Sequence, residues 1–263
     1  MLFPDFSRVV YRKPVLEEVI CQLRFPDILR ISAEEPAEFQ ESIRTQYPNY
    51  QIQSPKLEKG LIPPEIAELV RQKIEKAIPR NAYDFLSEDS TTKVGLASNF
   101  LALATNKYER WEKFREAFEL PFQKFCEVYR PSFFTRVGLR YRDVIVRSQL
   151  GMQSEPWSEL LQPHISGELA VADIASSIRE KRTTTVIELD DGAGLLRANH
   201  FLAQIVDTKE QVFVVDADIF YEGKVENTHA VEHLNTLNRY GGRFFRWCIT
   251  DKLFNAMDPE PVE

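Results

Sequence analysis

Cysteine is scarce in this chain of 263 residues: there are three, Cys21, Cys126 and Cys248, far apart and odd in number. No C-x-x-C pair occurs, which removes both a disulfide framework and a zinc ribbon from consideration. Each cysteine sits in an apolar pattern, so buried free thiols in a reducing cytoplasm are expected. Glycine is sparse as well, at 10 residues. Neither G-x-x-x-x-G-K-[ST] nor G-x-G-x-x-G is present, and Gly192-Ala193-Gly194 reads as a turn rather than a phosphate cradle. There is no G-x-S-x-G nucleophile elbow. No apolar run approaches the roughly 18 residues that a membrane-spanning helix needs. The opening Met1–Arg8 lacks the basic and then apolar pattern of a secretory signal, so none is expected. Positive charge is in deficit, with 33 Lys+Arg against 40 Asp+Glu and a net charge of −7. That balance argues against nucleic acid or an anionic membrane as the main partner.

What remains is an ordinary globular composition, 43% hydrophobic and 28% charged, with 18 Phe to furnish a core. Pro14–Phe25 alternates apolar and polar residues and predicts a half-buried strand, stopped by Pro26. Glu34–Tyr47 predicts a helix with Pro36 in its first turn, and Tyr50–Gln53 a strand. The proline-rich stretch Ser54–Ser90 is the least regular, with one helix expected over Glu65–Ala77. Thr92–Thr105 reads as a strand pair or one bent strand. Lys107–Arg130 places Tyr108, Trp111, Phe114, Phe118, Phe122, Phe125 and Tyr129 on one helical stripe, and Pro121 should kink or break it.

Ser132–Val146 alternates again, with Val137, Leu139 and Tyr141 on one side and Arg136, Arg140 and Arg142 on the other. A short helical segment is expected near Trp157–His164. Strands follow at Arg182–Leu189, Gly194–Ile205 and Gln211–Tyr221, the first two joined by a hairpin at Asp190–Gly194. Thr228 is placed to cap a final helix reaching Met257, in which Gly241-Gly242 should weaken the middle by about 1 kcal/mol per glycine.

The halves 1–130 and 131–263 share an order of strand, short helix, several strands and long helix. The expected class is therefore α+β, with antiparallel sheets backed by two long helices and an internal duplication packed as one globule. Such an arrangement resembles the TATA-binding-protein-like and helix-grip folds, an analogy of architecture that carries no function.

Further stretches carry a family resemblance. Lys13–Pro26 (KPVLEEVICQLRFP), with Phe134–Arg142 (FTRVGLRYR) and His233–Asp251, resembles a family of sporadically distributed prokaryotic proteins of similar length. The family brings no catalytic residues to carry over. The resemblance implies an accessory, patchily inherited bacterial protein.

Three groupings could carry chemistry. His229-Ala-Val-Glu232-His233 matches the H-x-x-E-H pattern of inverted zinc peptidases, in which two imidazoles one helical turn apart share a metal and the glutamate acts as base. It lacks a specified third ligand, and a solvated helix start accounts for it more simply. Asp216 and Asp218 project from one face of a strand, while Arg140 and Arg142 occupy the same kind of paired positions on another, with Arg197 and Asn199 available to join them. Cross-strand ion pairing satisfies all four charges; the other reading is a polar cleft for an anion. Finally, arginines interleaved with Tyr141, Phe244, Phe245 and Trp247 could stack bases, which the acidic total weighs against.

The leading expectation is a cytoplasmic, non-enzymatic interaction protein with a protein partner or a homo-oligomeric state, no membrane association and no cofactor. Behind it stands a small-molecule or anion-binding module at Arg140, Arg142, Arg197, Asp216 and Asp218. A metal-dependent hydrolase at His229, Glu232 and His233 is the distant third.

Overall fold

The computed structural model describes residues 2–53 and 82–262; the helix expected over Glu65–Ala77 lies outside the described residues. Val9–Tyr11 (β1) is followed by Leu16–Arg24 (β2), where the alternation of Val19, Cys21 and Leu23 turns those side chains into the core. The helix expected over 34–47 is present in shortened form as Ala37–Ile43 (α2), and an unexpected short helix, Leu29–Ala33 (α1), precedes it. They part at Pro36, whose ring disfavours helical backbone at the residue before it. Asn49–Gln53 (β3), Ala82–Leu86 (β4), Thr92–Ala97 (β5) and Phe100–Thr105 (β6) then form an antiparallel meander. Thr92–Thr105 is thus a hairpin rather than a bent strand, and β4 lies within the stretch that showed no regular pattern.

Trp111–Tyr129 (α3) runs on through Pro121, against the expected break. Proline removes the N–H that would bond the carbonyl of residue 117. The hydroxyl of Tyr47 donates to that Ala117 carbonyl at 2.8 Å, so the freed acceptor is satisfied from outside the helix.

The second half repeats the order. Phe134–Ile145 (β7) leads to three one-turn helices, Trp157–Leu160 (α4), Pro163–Ser166 (α5) and Ala172–Ala175 (α6). Arg182–Glu188 (β8), Leu195–Gln204 (β9) and Gln211–Val225 (β10) form a second meander, followed by Ala230–Cys248 (α7). The expected final helix to Met257 is interrupted. Ile249 bridges to Leu161 and Thr250 donates its N–H to the Leu160 carbonyl, which pulls the chain out of helical geometry. Asp251–Ala256 (α8) restarts it, with Thr250 rather than Thr228 accepting a capping bond, here from the Leu253 N–H. Pro259–Pro261 (β11) closes a small sheet with β1.

The large sheet has the order β3-β4-β5-β6-β2-β7-β10-β9-β8, antiparallel throughout. The first strands of the two halves, β2 and β7, pair at its centre. Each half's meander folds back so that its last strand flanks its first. The fold is α+β, with the two long helices on one face.

That face holds the core. Phe25 and Phe125 pack as tilted rings with centres 4.8 Å apart, and Phe39 meets Phe85 edge-on at 5.5 Å. Helix α7 settles closely on β7 and β10 because Gly241 has no side chain. A Cβ there would lie 2.7 Å from the Tyr141 ring and 3.1 Å from Ile219. The large buried side chains of the described helices belong to this core. A smaller apolar cluster of Val146, Val212 and Val214, backed by Val144, Phe201 and Ala203, lies on the opposite face without any helical member.

Candidate functional site

The residues singled out on the strands share that opposite face, which carries no helix among the described residues. Register places Arg140 beside Asp218 and Arg142 beside Asp216 across β7 and β10, while Arg197 and Asn199 of β9 lie beyond the two aspartates. The ion pairs, however, run diagonally. Arg140 donates two bonds to Asp216, from Nε at 2.7 Å and Nη2 at 2.5 Å. Asp218 is taken by Arg136, whose Nη2 reaches both carboxylate oxygens at 2.7 and 2.9 Å. Diagonal neighbours in an antiparallel pair are within reach of long side chains, and a two-pronged guanidinium–carboxylate contact favours that choice. Arg142 is left with a looser pair to Glu17 at 3.6 Å.

The alternation of β7 puts Arg136 on this face, yet nothing in the sequence marks it for the site. What admits it is Gly138, whose missing side chain leaves room for the guanidinium to lie across β7; a Cβ there would be 2.5 Å from Arg136 Nη1. From that position the guanidinium sits 4.4 Å above the centre of the Phe220 ring. The Arg197 guanidinium lies 6.0 Å from the same ring, within the range of cation–π attraction. Arg24, next to Arg136 in register across β2, donates to Gln22 at 2.9 Å. The result is a group of three arginines, two of them over Phe220 and the third beside them. Among the described residues, Asp218 is the one carboxylate ion-paired to any of the three; Glu222 faces Arg136 in register without forming a pair.

Two further titratable side chains point into the helix-backed core. Asp143 follows Arg142 on β7 and so faces the other way. It is buried with no hydrogen bond or ion pair among the described residues, and burial first, then the charge of Asp216, pushes its pKa up to about 8. His200 on β9 lies against Phe244 with ring centres 5.9 Å apart, and its Nε2 is buried without a partner. Burial, followed by the charges of His164 and Lys181, brings its pKa down to about 4. Strand parity could have placed both, but only helix packing decides which face is dry.

The H-x-x-E-H stretch is divided between elements. His229 ends a 3-10 turn, Asn227–His229, and Glu232 and His233 begin α7. The His233 ring rests on Tyr221 at 4.8 Å, while His229 and Glu232 are exposed. Among the described residues, no group of three or more His, Cys, Asp or Glu side chains is arranged to hold a metal ion. Nor is any described helix long and apolar enough to cross a membrane.

Comparison with protein-family models, with curated proteins and with solved structures returned no match.

Proposed function

We propose that this is a non-catalytic interaction protein whose arginine-bearing sheet face, opposite the two long helices, receives an acidic protein partner. The observation that carries the reading is the arginine group at Phe220. Arg136 and Arg197 lie over that ring, Arg24 is next to Arg136 in register, and one carboxylate is engaged, in a chain whose net charge is −7. Arginine and aromatic residues are enriched in interface cores, and guanidinium planes stacked on a ring are held ready for carboxylates. The three cysteines are all free, two of them buried, which fits a cytoplasmic setting.

A photo-crosslinking residue at exposed Glu222, used in the native cell, tests this. The expected result is one stoichiometric adduct with an acidic protein, abolished by Arg24→Glu with Arg197→Glu and unaffected by Lys113→Glu on α3. No adduct in the parent chain, or one indifferent to the arginine reversals, would sink the reading. A small-anion module at Arg140, Arg142, Arg197, Asp216 and Asp218 draws support from the loose Arg142 pair alone. The clamps that Arg140 and Arg136 hold on the two aspartates would have to open first.

A further inference from the structure

The first strand of the second meander, β8, is an edge of the sheet, and its sequence is Arg182-Thr-Thr-Thr-Val-Ile-Glu188. All of it is exposed except Ile187, and Val186 keeps 53% of its surface open. The usual protections of an edge strand are a proline, a central lysine, a bulge or brevity. None of these is present here: the seven residues pair with β9 in unbroken register. The opposite edge, β3, is five residues long and follows Pro48.

The backbone fixes which groups this edge offers. The Lys181 carbonyl accepts from Leu202 and the Leu189 N–H donates to Gly194, so odd-numbered residues bond to β9. In an antiparallel strand the N–H and C=O of one residue point the same way. Arg182, Thr184, Val186 and Glu188 therefore turn both groups outward.

We infer that β8 pairs with β8 of a second copy of this chain, antiparallel about a twofold axis at Thr185. A twofold pairing must match outward residues with outward residues. Centring it on Thr185 sets Arg182 against the partner's Glu188 and Thr184 against the partner's Val186, with each pair exchanging two backbone bonds. Within β8, this is the register that opposes the strand's two charges, and it does so at both ends. Opposite charges directly across a strand pair stabilise, and like charges destabilise. The axis runs perpendicular to the sheet, so the two arginine-bearing faces merge on one side and the long helices lie on the other. The homo-oligomer is independent of the acidic-partner reading, since it uses the edge and not the arginine group.

Sedimentation velocity at about 100 μM, well above a Kd of about 1 μM, should find the dimer. Hydrogen exchange should show the amides of Thr184 and Val186 protected at that concentration and exposed on dilution. Val186→Pro removes an outward N–H and no bond to β9, and should give a folded monomer. Arg182→Glu and Glu188→Arg should each weaken the dimer about tenfold, and the two together should restore it. A monomeric parent chain, a dimer that survives Val186→Pro, or reversals without effect and without mutual rescue would each overturn the inference.

Discussion

The two faces of one strand, β7, are built on different physics. On the side of the helices, Val137, Leu139 and Tyr141 are held by shape: Gly241 brings α7 against Tyr141, whose hydroxyl donates to Asn238 at 2.9 Å. On the other side, Arg136 and Arg140 are held by charge, each clamped to an aspartate of β10. Shape is unforgiving because a close-packed interior relaxes little around a change in volume. Charge pairs at a half-open face are cheaper to lose, because water reaches the partner left behind. A change on the helix-backed face should therefore cost more stability than a change of similar size on the open face.

The largest effect that would break this contrast comes from truncation. Phe125→Ala, at a fully buried ring, should destabilise by about 3–5 kcal/mol. Arg197→Ala, which removes a side chain of similar bulk from the open face, should stay within about 0.5 kcal/mol. Urea midpoints for the two variants decide it, and equal losses would mean that the open face is structural.

A finer test lies in two adjacent glycines of α7. Gly241→Ala should cost about 1–3 kcal/mol, because the new methyl meets Tyr141 and Ile219. Gly242 is exposed, and a methyl added there would have nothing within 4 Å, so Gly242→Ala should raise stability by up to about 1 kcal/mol through helix propensity alone. Thermal unfolding of both variants should show opposite signs. Smaller again is the ion pair. Asp216→Ala should cost about 1 kcal/mol, since Arg140 keeps 43% of its side chain in water. A double-mutant cycle with Arg140→Ala should return a coupling of about that size.

The alternation of β2 and β7 and the aromatic stripe of α3 were legible because a period of two or 3.6 is written directly into neighbouring residues. Arg140, Asp216 and their common face could be read in the same way. Contacts that join distant segments could not. Tyr47 rescuing Pro121, Leu161 bridging to Ile249, and Gly138 making room for Arg136 each depend on tertiary placement. The diagonal pairing depends on side-chain reach, which strand parity does not specify. Strand β4 was missed because its five residues, Ala82–Leu86, are too few to stand out beside a proline-rich stretch.

The same contrast divides the two aspartates Asp143 and Asp216, on neighbouring strands but opposite faces. Asp216 has its guanidinium; Asp143 has burial alone. With its folded pKa near 8, against 3.8 for the free side chain, Asp143 keeps a proton in the folded state that the unfolded chain releases. Its contribution to stability therefore declines as pH rises from about 4 to about 8. His200 acts in the opposite direction: its folded pKa near 4 lies below the ordinary 6.5, so stability declines as pH falls through that interval. The parent chain should be most stable in mildly acidic solution. Asp143→Asn, which puts a neutral side chain of the same shape in that place, should remove the decline between about pH 6.5 and 8 and uncover the His200 rise between about 4 and 6.5 that Asp143 offsets in the parent chain. Melting temperatures from pH 4 to 9 would show this, and an unchanged alkaline slope would mean that Asp143 is ionised and solvated in the folded protein.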